Sequence, residues 1–506
     1  MVQIKMKKFV LIVAFSLISV SSFGQSSNKL SGIVYIDVNQ NNSKDEEESG
    51  LANVLVSNGK DIVKTDSKGK YKITKIEGNT VFIIKPESYM FSVNKQNSVQ
   101  FYVPFDNIKS VEKYDFPLYS HNENKPTRIV LLGDTQVDVI DDVHHVGKLV
   151  TEELMDKPID FIVPLGDLSF DNLSIFGSLS ETLGLIGAPV FYTIGNHDLD
   201  FQEKTFADRD KSFENIFGPS YYAFEYGKQL NIVLNNINPL YPKGYEGRLD
   251  PMQIEFIKNL VLLEKDRFEN VAIYMHIPLE EMKDKEDLIA ILKPFPNVFI
   301  AAGHTHTQYH KYFERENQNS IHELVAGAVC GSWWQGPHDI DQIPFAMMYD
   351  GTPKGYWKVV VDNQKYDFTY KVSGAAPDKQ INITVPNKKE WDTSLNALND
   401  DFIYANVFAA DVSTKVSINY DNGQWMEMQK YYAIDPTVQK LYYLQALGRF
   451  DKQPISKFLK PETISSHLWR IEKPSVLPPG GHSVRVKAVS EKINLEVQGN
   501  AVLWID

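Results

Sequence analysis

Five short polar clusters in this sequence have the residue types of a metal site, and each follows directly after an apolar run. Buried parallel strands have such continuous apolar runs, and ligands of open α/β sheets bind outside the carboxyl ends of the strands. The clusters therefore predict Asp, Asn and His side chains that converge on one edge of a sheet. Runs 129–132, 161–165, 190–194, 271–275 and 298–302 precede, in order, Asp134; Gly166 and Asp167; Gly195, Asn196, His197 and Asp198; His276; and Gly303, His304, Thr305 and His306.

The mixture of ligand types indicates which metals such a site would bind. Carboxylate, amide and imidazole ligands together suit divalent ions of borderline hardness, namely Mn, Fe or Zn. Carboxylates also commonly bridge two cations that lie a few ångströms apart. An isolated His-x-His pair is more often a satisfied polar feature than a ligand set, but five clusters placed after five strands favour a metal centre.

The elements between and around these clusters predict the architecture. Helical patterns at 141–155, 251–263 and 284–293 separate the apolar runs, which predicts an α/β layer structure with a covered sheet. Residues 28–118 and 376–506 contain short segments bounded by turn residues, and both blocks are predicted to be β-sandwiches. Residues 119–127 have the composition of a linker.

Composition limits the class of protein. A length of 506 residues predicts two to four domains, and 43% hydrophobic with 23% charged residues is typical of a folded globular chain. The net charge of −13 argues against a nucleic-acid surface, which requires clustered Lys and Arg. A single cysteine, Cys330, cannot form an internal disulfide and is predicted to be a buried small hydrophobe.

The amino terminus has the pattern of a secretory signal. Lys5, Lys7 and Lys8 precede an apolar run at 9–20, and the small residues Ser22 and Gly24 follow it. The run is shorter than the roughly 20 apolar residues that span a bilayer, so cleavage is favoured over a retained anchor. We predict a signal peptide at 1–24, no transmembrane segment after its removal, and a periplasmic or extracellular location.

The ordered clusters resemble the signature of the calcineurin-like metallophosphoesterase superfamily over roughly residues 127–310. The matching elements are Asp134-x-Gln136, Gly166-Asp167, Gly195-Asn196-His197-Asp198, Met275-His276 and Gly303-His304-x-His306. The flanking β-blocks resemble a three-domain arrangement found among secreted bacterial members. The resemblance implies a four-layer αββα sandwich at 127–372, between an N-terminal β-sandwich at 28–118 and a C-terminal β-domain at 376–506.

The resemblance also implies a role for each motif residue. Asp167 would bridge two metal ions; Asp134, Gln136 and His306 would complete one site, and Asn196, His276 and His304 the other. His197 would lie above the phosphate, as proton donor to the leaving group or as a stabiliser of the transition state. Two cations hold the phosphoryl oxygens and lower the pKa of a bridging water, so that a metal-bound hydroxide attacks phosphorus. The implied activity is hydrolysis of a phosphomonoester or phosphodiester in a small phosphorylated substrate.

Two positions depart from the family pattern. Gln136 takes the place of a His, and its oxygen is a harder and weaker ligand, so this site should favour Mn, Mg or Fe(II). Phe170 occupies a position where the family has Asp. The acidic partner of His197 is therefore either Asp171 or Asp198.

A second candidate metal site lies in the N-terminal block. Its residues have the one, three, five, seven, nine and twelve spacing of an EF-hand-type calcium loop, and Asn42 accepts the positive φ needed at the usual glycine position. A structural calcium is the favoured prediction, and a solvated acidic turn is the alternative. The predicted ligands are Asp37, Asn39, Asn41, Ser43, Asp45 and Glu48.

A non-enzymatic function is the alternative to a hydrolase. In that case the chain would be a cell-surface binding protein whose β-modules hold a glycan or partner and whose central domain is a degenerate scaffold. The aromatic run that contains Trp333 and Trp334 suits either a substrate cleft or packing between domains. The presence of His197 and of the ligand positions favours the enzyme.

Overall fold

The computed structural model describes residues 28–505, apart from 124, 204, 206–207, 241, 387–389, 391 and 451–462. The predicted signal peptide at 1–24 lies outside the described residues. No helix in the described part of the chain has both the length and the apolar character needed to cross a membrane.

The N-terminal block is a pair of small sheets, as the short alternating segments predict. One sheet has five strands in the order β4-β1-β8-β6-β7, and the other has three in the order β3-β2-β5. The elements are β1 (Lys29–Ile36), β2 (Leu55–Ser57), β3 (Ile62–Lys64), β4 (Lys70–Thr74), β5 (Phe82–Ile84), β6 (Tyr89–Val93), β7 (Val99–Gln100), the one-turn helix α1 (Phe105–Ile108) and β8 (Phe116–Ser120).

The central block contains twelve of the strands and six of the helices that the structure describes. They are β9 (Thr127–Leu132), α2 (Ile140–Val146), α3 (Glu152–Leu154), β10 (Phe161–Pro164), α4 (Phe176–Gly184), α5 (Lys211–Phe217), β11 (Tyr222–Tyr226), β12 (Gln229–Val233), β13 (Ile237–Pro239), β14 (Tyr245–Gly247), α6 (Pro251–Glu264), β15 (Asn270–Tyr274), α7 (Lys285–Ile291), β16 (Asn297–Ala302), β17 (Gln308–Phe313), β18 (Ile321–Ala326), β19 (Gly355–Asp362) and β20 (Lys365–Val372).

Two sheets form the inner layers of this block, in the orders β10-β9-β19-β20 and β11-β12-β15-β16-β18-β17. Alternate residues of β9 point to opposite faces, as the period of a strand requires. Ile129 and Leu131 join the core shared with the second sheet, whereas Val130 and Leu132 pack with the buried residues of α2 and α4. The outer face of the second sheet packs against α6 and α7. The predicted αββα sandwich is therefore confirmed.

Two sequence-based predictions about this block are wrong in detail. The run 190–194 is not a regular strand, because it pairs with the first sheet only through isolated bridges at Val190 and Thr193. Thr193 N–H donates to the Pro164 carbonyl, but Pro164 in β10 has no N–H to donate in return, so the ladder is interrupted. The helix predicted at 141–155 is divided into α2 and α3 by a π-helical turn that begins at Gly147, a residue of low helix propensity.

The C-terminal block is again a pair of sheets, as predicted, in the orders β21-β22-β26-β25 and β24-β23-β27-β28. Its elements are β21 (Ile381–Thr384), β22 (Phe402–Val407), β23 (Lys415–Tyr420), β24 (Met426–Glu427), β25 (Gln429–Lys430), α8 (Pro436–Ala446), β26 (Leu468–Glu472), β27 (Gly480–Ser490) and β28 (Leu495–Ile505).

A buried lysine joins the N-terminal block to the second central sheet. Lys85 is fully buried, and its Nζ donates to Glu123 Oε1 at 2.8 Å and to the Glu225 carbonyl at 2.6 Å. Glu225 N–H donates in return to the Lys85 carbonyl at 2.9 Å, so backbone pairing continues from the N-terminal block onto β11. Glu123 lies in the segment predicted to be a linker, and this segment is held against both blocks.

A second buried charge lies beneath the turn that follows β15. Glu323 in β18 is fully buried, and its Oε1 accepts the N–H of Leu279 at 2.6 Å. Burial raises the pKa of Glu323 from its ordinary value of 4.5 to about 7, with further raising by Glu280 and Glu281 and opposing effects from Leu279 N–H and Lys311. The folded protein therefore holds this proton more tightly than the unfolded chain does.

This shift predicts a pH-dependent stability. The contribution of Glu323 to the free energy of unfolding is fully present below pH 4.5, and it is lost as the pH rises through about 7. Glu323→Gln keeps an acceptor for Leu279 N–H and cannot ionise, so at pH 8 we expect it to raise the free energy of unfolding by about 3 kcal/mol. Near pH 4 the two proteins should unfold alike. Denaturant unfolding at both pH values measures this, with Glu316→Gln as an exposed control. An equal dependence of the unfolding free energy on pH in wild type and Glu323→Gln would contradict it.

Candidate metal centre

The five predicted loops meet between the two central sheets, and not at the edge of one sheet as the pattern predicted. Asp134, Asp167 and Asn196 follow chain segments of the first sheet, whereas His276 follows β15 and His304 follows β16 of the second. The sequence pattern cannot show that the parallel runs belong to two sheets, because the periodicity within each run is the same. The carboxyl ends of both sheets nevertheless lie on the same side of the sandwich.

One group of ligand atoms surrounds His276. Its Nε2 lies 3.2 Å from Asp167 Oδ1, 3.1 Å from Asn196 Oδ1 and 3.2 Å from His304 Nδ1. Asp167, His276 and His304 form the one group of three His, Cys or carboxylate side chains among the described residues whose ligand atoms lie within 4.8 Å of one another. The set predicted from the motifs, Asn196, His276 and His304 with Asp167, is therefore assembled in space.

The hydrogen-bonding state of this group fits a divalent cation. His276 Nδ1 faces the Leu165 carbonyl at 2.8 Å and must carry its hydrogen, so the neutral ring presents a lone pair at Nε2. That lone pair faces the carbonyl oxygen of Asn196 and a carboxylate oxygen of Asp167. One cation satisfies all these lone pairs at once, and the bond to a backbone carbonyl is the usual outer-shell support of a histidine ligand.

The pKa values of these groups reflect the same convergence of lone pairs on one point. Burial lowers the pKa of His276, but Asp167 and Asp134 raise it, with a net value of about 9. Burial and the neighbouring His276 lower the pKa of His304 to about 4. Burial alone would raise the pKa of Asp167, but His276, His197 and His304 hold it well below its ordinary value. His276 therefore holds a proton at the point where one cation would contact all of these ligands.

The second group of predicted ligands surrounds His306. Its Nε2 lies 3.2 Å from Asp134 Oδ2, and its Nδ1 lies 2.6 Å from the Gly331 carbonyl. The lone pair at Nε2 is therefore directed at Asp134, and in this structure it also accepts the indole N–H of Trp333 at 3.0 Å.

Gln136 does not present its oxygen to this group. Its Nε2 donates to Asp167 Oδ2 at 3.1 Å, and its Oε1 faces the thiol of Cys330 at 3.7 Å. A ligand role for Gln136 thus requires the amide to rotate by half a turn. Asp167 has Oδ1 towards His276 and Oδ2 towards Gln136, so its two oxygens face the two groups, as a bridging ligand requires.

The backbone at these loops is held in uncommon conformations. Asp167, Gln136, His304 and His306 all have positive φ, at 47°, 41°, 76° and 51°. Such conformations cost free energy in residues other than glycine and persist only where the surroundings fix them. Gly195 allows close approach, because an added Cβ would lie 1.8 Å from Asp167 N, and at Gly303 it would lie 2.3 Å from Asp134 Oδ1.

The partner of His197 is visible in the structure. His197 Nδ1 lies 2.8 Å from Asp171 Oδ1, and its ring stacks on Phe170 with centroids 4.8 Å apart. Asp198 instead accepts the backbone N–H groups of Leu168, Ser169 and Gly195, which holds the loops together. Of the two alternatives from the sequence, the structure therefore places Asp171 at the His197 ring.

Two residues of the run 330–334 contact the site in ways that the sequence did not predict. Cys330 is fully buried, as predicted, but its Sγ lies 3.9 Å from His306 Nδ1 as well as beside Gln136. Trp333 contacts His306 and also packs against Phe170, with ring centroids 5.6 Å apart. Its positive φ of 68° is rare for a bulky residue, but nothing in the sequence signals it.

The predicted calcium loop has a locally ordered backbone. Asn42 has a φ of 59°, as predicted, and Asp37 accepts the N–H groups of Asn41 and Asn42. Glu48 accepts the N–H groups of Val38 and Asp45 at 2.8 and 3.1 Å. The side-chain amides of Asn39 and Asn41 donate to Asp45, and Asn41 Oδ1 accepts the N–H of Ser43. Calcium binding itself stays a prediction.

The αββα sandwich and the ligand loops at its carboxyl ends are those of a metallophosphoesterase, the class that the motifs predict. Three family models match successive parts of the chain: the N terminal of Calcineurin-like phosphoesterase at 38–121, Calcineurin-like phosphoesterase at 127–308, and the C terminal of Calcineurin-like phosphoesterase at 323–493. The chain therefore belongs to the calcineurin-like phosphoesterase family, and it is a phosphoester hydrolase.

Two solved structures resemble the chain more distantly. The purple acid phosphatase PPD1 from yellow lupin (Lupinus luteus) seeds has 13% sequence identity and a TM-score of 0.36, over 64% of this chain and 69% of that chain. The 5'-nucleotidase from Candida albicans has 12% identity and a TM-score of 0.29, over 49% of this chain and 52% of that chain. A search of the curated proteins found no match.

Proposed function

We propose that this phosphoesterase is an exported hydrolase that uses a dinuclear metal centre to cleave a phosphomonoester or phosphodiester of a small molecule. The observation that carries the proposal is the meeting of His276 Nε2 with Asp167 Oδ1, Asn196 Oδ1 and His304 Nδ1 within 3.2 Å. The second ion would be held by Asp134, His306 and a rotated Gln136, with Asp167 shared. Mn, Fe or Zn suits these ligand types, and the amide oxygen of Gln136 favours Mn, Mg or Fe(II) at the second position.

The roles of the protein groups follow from their positions. When bound, the two cations supply positive charge for the phosphoryl oxygens and lower the pKa of a water. His197 has its Nδ1 against Asp171, so Nε2 is the nitrogen that would deliver a proton to the leaving oxygen. The stacked ring of Phe170 fixes the plane of His197. Asp198 maintains the loop geometry through its three backbone bonds and has no direct role in proton transfer.

The charge of the chain fits a small substrate better than a nucleic acid. The net charge is −13, and long phosphate backbones need clustered cationic side chains. A small phosphate can instead be attracted by the two ions themselves, which dominate the field at short range.

Metal removal and ligand substitution test the proposed activity. With Mn, we expect the purified protein to hydrolyse an aryl phosphate or a bis-aryl phosphodiester, and chelation should abolish the turnover until Mn is restored. Asp167→Ala and His304→Ala should abolish both turnover and metal binding, because they remove shared or converging ligands. His197→Ala should keep the metal content and lower kcat by about 100- to 10,000-fold.

The metal content and activity of these variants distinguish the proposed hydrolase from the alternative, a glycan-binding protein with a degenerate scaffold. Elemental analysis of each variant gives its metal content, and steady-state kinetics gives its kcat. If neither substrate is hydrolysed with Mn, Fe, Zn or Mg while glycan binding is observed, the proposed activity is wrong.

Export is proposed from the sequence of residues 1–24. The run of Lys5, Lys7 and Lys8 before the apolar residues 9–20 has the order that signal peptidase substrates share. We expect the exported protein to begin at Gln25. Amino-terminal sequencing measures this, and a mature protein that still carries the three lysines would contradict it.

The N-terminal loop is proposed to bind one structural calcium ion. Calcium that binds only the folded state should raise the melting temperature with concentration. Asp45→Ala, which removes a predicted charged ligand, should lose this rise, whereas Glu46→Ala at a non-ligand position of the same loop should keep it. Equal calcium-dependent shifts in both variants, measured by thermal unfolding, would show that the loop is only a solvated acidic turn.

A further inference from the structure

We infer that His467 of the C-terminal block is a positioning residue for the metal-binding loop 304–308, and that it acts through the carboxylate of Asp350. The inference rests on the proposed metal centre, because its consequence is the placement of His306. It also gives the C-terminal block a function, which is to complete the support of the active site.

Asp350 is attached directly to the loop. Its Oδ2 accepts the N–H of Gln308 at 2.7 Å, two residues after His306, and its Oδ1 accepts the N–H of Thr352 at 2.9 Å. The N–H of the preceding residue, Tyr349, donates to the His306 carbonyl at 3.1 Å. The segment 349–352 therefore holds the backbone of the loop at His306 and again at Gln308.

His467 connects this segment to the C-terminal block. It is fully buried, with Nε2 at 3.1 Å from Asp350 Oδ2 and Nδ1 at 2.7 Å from Asn406 Oδ1. Asn406 in β22 donates its amide hydrogens to the Asp350 carbonyl at 3.0 Å and to Asp435 Oδ2 at 2.9 Å. Both ring nitrogens of His467 thus face oxygen acceptors, and the imidazole links the two blocks.

Two further contacts make this connection stiff. Gln308 Nε2 donates to the carbonyl of Phe408 at 2.6 Å, so the loop is also tied directly to the end of β22. Gly351 has a φ of 85° and packs so closely on Asp435 that an added Cβ would lie 2.4 Å from its Cβ and Cγ atoms. A shift of the loop would break several of these buried hydrogen bonds at once, and a buried polar group left without its partner costs free energy.

The placement matters because His306 has the positive φ of 51° and depends on its surroundings for that conformation. Groups that orient metal ligands from the outer shell typically contribute 10- to 100-fold to metal affinity. Loss of His467 should therefore weaken the metal site that contains His306, although His467 does not itself contact a ligand side chain.

The test compares two histidines of the C-terminal block that each contact a carboxylate, in the full-length protein. His467→Ala removes the link to Asp350, and the control His482→Ala breaks the pair with Asp421, in which Nδ1 lies 2.6 Å from Oδ2. We expect Mn binding to one of the two sites to weaken by roughly 10- to 100-fold in His467→Ala and to be unchanged in His482→Ala. Equilibrium dialysis with elemental analysis and the electron paramagnetic resonance of bound Mn(II) measure this without turnover.

The dependence of kcat on Mn concentration distinguishes a displaced metal-binding loop from a general loss of packing. In His467→Ala, kcat should be low at limiting Mn and return towards the wild-type value at excess Mn, since the loop is displaced and not removed. If the alanine variant does not fold, His467→Gln, which keeps a donor, carries the test with a smaller loss of affinity. Folded variants with unchanged Mn stoichiometry and affinity would overturn the inference, whereas Mn binding without turnover in the wild type would count only against the proposed function.

Discussion

The main physical constraint on this structure is a repulsion between electron pairs. These pairs face one another at the side chains of Asp167, His276, Asn196 and His304. Their polar atoms lie within 3.2 Å of His276 Nε2, and all of these side chains are buried except that of His304, which is partly exposed. Such a cluster has a high free energy unless positive charge occupies it. The protein therefore assembles these groups against their mutual repulsion, and the energy for this comes from the packing of the two sheets and their covering helices.

Several features keep the ligands in place in spite of that repulsion. The strands bring the loops to one side of the sandwich, and glycines at 195 and 303 let the backbone approach the carboxylates without the space that a side chain would need. Asp198, buried at the centre of three backbone N–H groups, holds two of the loops to each other. On the other side, the Gly331 and Leu165 carbonyls set the orientation of the imidazoles of His306 and His276. Rigidity of this kind is what a preorganised catalytic site requires.

The order of motifs along the chain was sufficient to predict the family, the layers of the central block and the residues that meet at His276. It was not sufficient for contacts between segments far apart in sequence. The choice between Asp171 and Asp198 depended on the direction in which a loop turns after a left-handed residue, and the number of sheets depended on which strands pair. The contacts of Trp333 arise only when its loop packs on His306 and Phe170 in the folded chain. Those of Asp350 and His467 arise only when the C-terminal block packs against the loop at 304–308. The composition of the run at 190–194 is that of a strand. Its ladder is interrupted by Pro164, and the sequence does not show that Pro164 lies in the neighbouring strand.

The attachment of Lys85 to β11 has a consequence for the solubility of the protein. β11 is the outermost strand of the second sheet, and an open edge strand presents unpaired backbone groups that can pair with another chain. Here the Lys85 carbonyl accepts the N–H of Glu225, and the Lys85 ammonium covers the Glu225 carbonyl, so the N-terminal block occupies part of that edge. The charge buried at this point also disfavours a neutral strand from a neighbouring molecule. The N-terminal block thus protects the catalytic sheet against edge-to-edge association.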